Sequence, residues 1–164
     1  MADFQDFATL FSGSIRAQLD WNALAELNVP VTEQVTSGWA ALGALRTVWH
    51  VDAQGRPADW CDPGATALTV REAAGLRELW PVARQERVAA FRARIEASTE
   101  PFVLLLPTYR VGRELLLLDS SHRVMAGYLA RAEVRALIMT LVAPLSPELL
   151  PDLGSLVVRG HGSG

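Results

Sequence analysis

The chain contains no lysine, and its 15 basic residues are all arginine. That absence removes a Walker lysine, a Schiff-base lysine and any lysine clamp on phosphate. An anion would have to be held by arginine, histidine or backbone N–H groups. Codon bias in a GC-rich genome is the plain explanation of the arginine usage. With Cys61 as the only cysteine, neither an intramolecular disulfide nor a Cys-rich metal site can form. Histidines stand at 50, 122 and 161, without the close pairing of a zinc motif, so no metal site is expected. Neither Gly-x-Gly-x-x-Gly nor Gly-x-Ser-x-Gly occurs, which argues against a Rossmann enzyme or a hydrolase with a nucleophile elbow. No apolar run approaches the roughly 18 residues of a membrane span. Met1-Ala-Asp-Phe-Gln-Asp has neither the basic start nor the apolar stretch of a signal peptide. A cytoplasmic protein is expected. A net charge of −3 argues against a dedicated nucleic-acid binder, which would show a basic face.

What is present is an ordinary globular composition, half hydrophobic, over 164 residues, enough for one domain with a substantial core. The most informative stretch runs from Arg113 to Arg131. Leu115 to Leu118 read as a strand buried on both faces. Asp119, Ser120 and Ser121 are turn and N-cap residues, with Ser121 able to cap a helix. Val124, Met125, Tyr128 and Leu129 then recur at helical spacing. His122 and Arg123 fall in the first turn of that helix, where cations are disfavoured beside the positive end of the dipole. An anion held there by free N–H groups and both side chains would explain the placement. Arg123 can grip phosphate or carboxylate through two parallel hydrogen bonds. His122 can donate to an anion or act as a general acid or base. Asp119 can orient a neighbour, help hold magnesium, or close the turn. The structural alternative is a capped helix whose His122 and Arg123 pair with acidic residues elsewhere.

Strand, Asp-x-x-His-Arg and helix together resemble the signature of the ParB/sulfiredoxin superfamily. The order of elements across roughly residues 69–143 is also similar: helix 84–97, strand 102–107, turn, motif strand, motif helix, and an apolar strand at 136–142. The resemblance implies an α/β (α+β) fold: a single domain at 31–150 with a small mixed sheet flanked by helices. Residues 1–30 would be an N-terminal helical extension and 151–164 a C-terminal tail. It also implies that Ser120, Ser121, His122 and Arg123 bind the phosphates of ATP or another nucleotide with magnesium, with Asp119 and His122 as catalytic candidates. Ser120 stands where the family usually has glycine, and Ser121 where sulfiredoxin has its active cysteine. The Glu-Arg-Arg of chromosome-partitioning members is missing. The pattern is most similar to the small-molecule kinase branch that phosphorylates free serine. Such a kinase needs a further carboxylate, for which Asp52 and Glu72 are candidates.

Three functions therefore stand open. The first is a small enzyme that binds a nucleotide or other phosphate and modifies a small molecule, with ATP-dependent phosphoryl transfer as one form. The second reuses the pocket without nucleotide, His122 acting as acid/base and Arg123 holding a substrate carboxylate. The third is a non-catalytic binding or scaffold protein, with the N-terminal aromatic helix as its partner surface. Helices of this kind are more often part of the core, or the surface of a homodimer, than a site.

Elsewhere, Phe4, Phe7 and Phe11 have helical spacing. Ser14 is placed to cap a second helix carrying Ile15, Leu19, Ala23 and Leu27. The stretch 32–44 reads as a helix weakened by Gly38 and Gly43. Leu45 to Val51 reads as a strand, the best candidate for a neighbour of the motif strand, with His50 a core or edge histidine. Thr69-x-x-Glu72 has the capping-box form. The helix 84–97 presents mixed charges that read as a solvated face, although Arg84 stands near its start. Ser146-Pro-Glu-Leu-Leu could start a short helix. Cys61 reads as an idle thiol and His161 as a solvated bystander in a mobile tail.

Overall fold

The four-leucine run divides between two cores, which sets the architecture. Leu116 and Leu118 belong to one apolar cluster, Leu117 and Leu115 to the other. Alternate side chains of a strand point to opposite faces, so a strand reading Leu-Leu-Leu-Leu must be covered on both sides. The computed structural model describes residues 2–151. Its strands are β1 (Val31–Ser37), β2 (Arg46–Val51), β3 (Pro57–Ala58), β4 (Thr66–Thr69), β5 (Phe102–Val111), β6 (Glu114–Leu117) and β7 (Val134–Leu141). They form a mixed seven-stranded sheet of order β1-β7-β5-β6-β2-β3, with β4 also paired to β2. β5 runs parallel to β7, and β2 parallel to β6, while the remaining pairs are antiparallel. The fold is therefore α/β with a mixed sheet. The strand expected beside the motif strand is β2.

One face is covered by α3 (Val70–Gly75), α4 (Val82–Ala97), α5 (Ser121–Ala130) and a 3-10 turn at Trp39–Ala44. α5 lies close to the sheet because Gly127 has no side chain: a Cβ there would stand 3.2 Å from the Phe102 ring. The other face is covered by α1 (Phe4–Phe11) and α2 (Trp21–Glu26), with the segment around Leu149 and Leu150. Phe4, Phe7 and Phe11 pack with Tyr109, Leu116 and Met139 in that core. The aromatic helix is thus a wall of the core and not a free partner surface. The turn between β5 and β6 closes on Gly112, whose φ of +62° suits a residue without Cβ. No helix among the described residues is long and apolar enough to cross a membrane.

Three local expectations are corrected. The stretch read as a helix at 32–44 is strand β1 followed by the 3-10 turn. β1 lies at the sheet edge and is mostly exposed, so it shows no alternation, and its pairing with β7 makes it a strand. Ser14 caps no helix: α2 starts later, at Trp21, where the Asp20 side chain accepts from Ala23 N–H at 3.0 Å. Leu27 lies exposed while Ile15 and Leu19 are buried, so their helical spacing is coincidental. Ser146 to Leu150 is a turn, in which the Ser146 carbonyl accepts from the N–H groups of Leu149 and Leu150. The capping box at Thr69 and Glu72 is formed as expected. His161 and the tail beyond Pro151 lie outside the described residues.

Candidate functional site

β2 and β6 run parallel, so their C-terminal ends open at the same end of the sheet. They pair only at Arg46 and Leu116, and β3 joins the same side of β2 only from His50. Between those points the sheet has a gap. Side chains replace the missing ladder there: Thr47 Oγ1 accepts from Trp49 N–H at 3.1 Å, and His50 Nδ1 lies 2.9 Å from the Val48 carbonyl. Arg46 anchors the near end through the carboxylate of Glu114 and the carbonyl of Ala67. Beyond the gap lies a cleft of about 570 Å³. Crevices of this kind, at the carboxyl ends of parallel strands, are where open α/β sheets bind ligands.

Every residue of the Asp119–Arg123 turn lines this cleft. Ser120 is the N-cap of α5 and sits at φ +69°, ψ +17°, the left-handed region that favours glycine. It makes no side-chain cap bond, and no acidic residue occupies the first turn of α5. Ser121, expected as the cap, is instead the first helical residue and is buried. The start of α5 therefore offers N–H groups that no capping side chain satisfies.

Charge reinforces this. Arg16, Arg87 and Arg123 line the cleft against a single carboxylate, Asp119. The ion pairs among the described residues join Arg46 to Glu114, Arg56 to Asp52 and Arg92 to Glu96, none of which lines the cleft. Among those residues, His122 and Arg123 thus have no acidic partner. Arg123 lies over the Phe91 ring at 5.5 Å. The charged face of α4 is not uniformly solvated: Arg84 stacks on Trp49 at 4.3 Å, while Arg87 reaches the cleft. Trp49 also meets Trp80 edge-on at 5.4 Å and His122 at 5.3 Å. This aromatic block holds the imidazole in place.

His122 is not the cation that its place in the sequence implies. Burial, helped by the charges of Arg87 and Arg84, lowers its pKa from 6.5 to about 4. The ring is neutral at pH 7, a weak base that donates only one N–H. The positive charge of the cleft therefore comes from arginine and the helix start.

Neither candidate for a remote carboxylate reaches the site. Asp52 closes the β2–β3 turn, accepting from the N–H groups of Gln54 and Arg56. Those bonds lower its pKa, led by the one from Arg56. Glu72 is occupied in the capping box, accepting from Thr69 N–H at 3.0 Å. Cys61 is exposed and does not line the cleft.

The structure adds Arg16, Trp49, His50, Trp60 and Arg87 to the residues expected from the motif. One signal for two of them was available. A strand running parallel beside the motif strand must end beside the motif turn, which points to Trp49 and His50. Nothing in the local sequence marks Arg16 or Trp60. Comparisons with protein-family models, with curated proteins and with solved structures find no match to this chain.

Proposed function

We propose that the chain is a small enzyme that binds a nucleotide or another phosphate at the Asp119–Arg123 turn of this cleft and modifies a small molecule. In this reading the domain is ParB/sulfiredoxin-like, and ATP-dependent phosphoryl transfer is the leading form of the chemistry. The observation that carries it is the uncapped start of α5 facing a cleft whose three arginines have no carboxylate partner among the described residues. A phosphate there receives backbone N–H groups, the field of the helix and a bidentate guanidinium together. Asp119, the one carboxylate on the wall, can share a magnesium ion with phosphate oxygens, since magnesium commonly needs only one or two protein carboxylates. Magnesium would offset phosphate charge. Arg123 and Arg87 would orient the anion, and neutral His122 would offer it one N–H.

A second reading, a nucleotide-independent enzyme whose Arg123 holds a substrate carboxylate, is favoured by the imidazoles of His50 and His122 on the cleft wall. Burial lowers the pKa of both, so each ring is unprotonated at neutral pH and keeps a bare nitrogen able to accept a hydrogen bond from a substrate.

The test is thermal unfolding with ATP, ADP, CTP and GTP, each with magnesium, and with inorganic phosphate, beside an Arg123→Ala variant. A ligand at a hundred times its Kd adds about 2.7 kcal/mol. The expected rise is several degrees, lost in Arg123→Ala. No rise with any of these at millimolar concentration would remove the phosphate reading and leave the carboxylate one.

A further inference from the structure

His50 takes no part in holding the phosphate, yet it is the most unusual polar group in the cleft. It is 3% exposed and lies on the cleft wall, contributed by β2. Its Nδ1 stands 2.9 Å from the carbonyl of Val48. A carbonyl only accepts, so Nδ1 must carry the ring proton, and Nε2 of the neutral ring is a bare acceptor. Among the described residues, Nε2 is the buried side-chain nitrogen or oxygen that lacks a hydrogen-bond partner. Buried polar atoms are rarely left so, and each such atom calls for a partner that the protein does not itself supply.

The identity of that partner follows from chemistry. A phosphate dianion carries only acceptors and cannot satisfy Nε2. An ammonium group could donate, but Arg16, Arg87 and Arg123 on the same wall, and Arg46 nearby, repel it. Asp59 is the acidic group that acts on the ring electrostatically, and it does not line the cleft. A neutral hydroxyl meets both conditions. Burial keeps the ring unprotonated, so the acceptor persists at neutral pH.

We propose that His50 Nε2 accepts a hydrogen bond from a hydroxyl group of the bound molecule, so that the cleft selects a hydroxyl-bearing phosphate over an alkyl phosphate of the same size. This rests on the phosphate reading and adds the second anchoring point: the anion at the start of α5, the hydroxyl at β2. A site built to pair with a hydroxyl rejects the analogue lacking it, because its own polar atom is then left unmet.

The experiment is calorimetric titration of the full chain with glycerol 3-phosphate, ribose 5-phosphate, propyl phosphate and inorganic phosphate. Wild type, His50→Leu and Arg123→Ala are compared. One neutral hydrogen bond is worth about five- to tenfold in affinity, so the hydroxyl-bearing esters should bind about that much tighter than propyl phosphate. In His50→Leu the affinities should converge. Should that variant fold poorly, the wild-type protein decides by nitrogen NMR. The Nε2 resonance of His50 should move with the hydroxyl-bearing esters and stay with propyl phosphate.

Equal affinities in the wild type, or a preference that survives in His50→Leu, would overturn the proposal while leaving the phosphate site intact. Nε2 would then be serving a buried water. Binding of none of the four phosphates would overturn this inference, and the nucleotide unfolding series above would then decide the phosphate reading separately.

Discussion

Acidification from pH 7 to pH 4 should destabilise the protein through His122 well before carboxylate titration dominates. The pKa of this histidine falls from 6.5 to about 4 on folding, because of burial first and of Arg87 and Arg84 second. Between those values the unfolded chain holds a proton that the native state does not, so stability rises with pH across the window and is lost as pH falls. At about 1.36 kcal/mol per pH unit, a fully buried group so shifted would be worth about 3 kcal/mol. His122 is only partly buried, and solvent screening reduces the expected loss to about 1–2 kcal/mol. For a domain of this size that is a fall in Tm of about 3–6 °C.

The assay compares urea unfolding of wild type and His122→Gln at pH 7 and pH 4, so that the carboxylates and His50 cancel in the difference. Proton NMR of the histidine ring supplies the pKa directly. Arg87→Gln should raise it, since one of the opposing charges is gone. Bound phosphate should raise it further, because a neighbouring anion favours the imidazolium. A His122 pKa at or above 6.5 in the free protein would refute the reasoning about burial and charge.

The packing sets three further outcomes. Ser120→Gly should raise stability by about 0.5–1 kcal/mol in thermal unfolding, because Ser120 sits at φ +69° and makes no cap bond that glycine would lose. Thr108 and Thr140 are buried and share a hydroxyl–hydroxyl bond of 2.7 Å. Thr108→Val alone should cost about 1–3 kcal/mol, whereas Thr108→Val with Thr140→Val should cost less than their sum, as a double-mutant cycle in urea will read. Phe7→Ala should cost about 3–5 kcal/mol, since Phe7 is fully buried in the core under α1. A loss below about 1 kcal/mol would show that residues 2–30 are an appendage, since a fully buried phenylalanine cannot be removed so cheaply.

The centre of the fold was legible in the sequence because burial writes itself there most plainly. Leu115 to Leu118 belong to two cores, and only a strand covered on both faces tolerates that run. The capping box at Thr69 and the turn at Gly112 were equally readable, since each depends on residues close in sequence. β1 was not legible. Its residues are largely exposed, and its strand form comes from pairing with β7, about a hundred residues away. The helix expected after Ser14 failed for a related reason: Ile15 and Leu19 are buried by packing and not by a shared helical face. At the site, the motif turn was visible because an odd charge placement marks it. The remaining wall came together only through topology, which places β2, α4 and the segment after α1 around one turn.

The strand that delivers the motif turn is shared by both cores, and this bears on how the cleft meets a ligand. Leu116 and Leu117 are fully buried, so their amides should exchange with solvent only when the whole molecule opens. The turn at its end is therefore fixed to the most protected part of the protein, and α5 behind it is pinned by Val124, Met125 and Ala126. Such a platform is preorganised. Little conformational entropy remains for an arriving anion to remove, so recognition resembles a key entering a finished lock more than a loop folding around its guest.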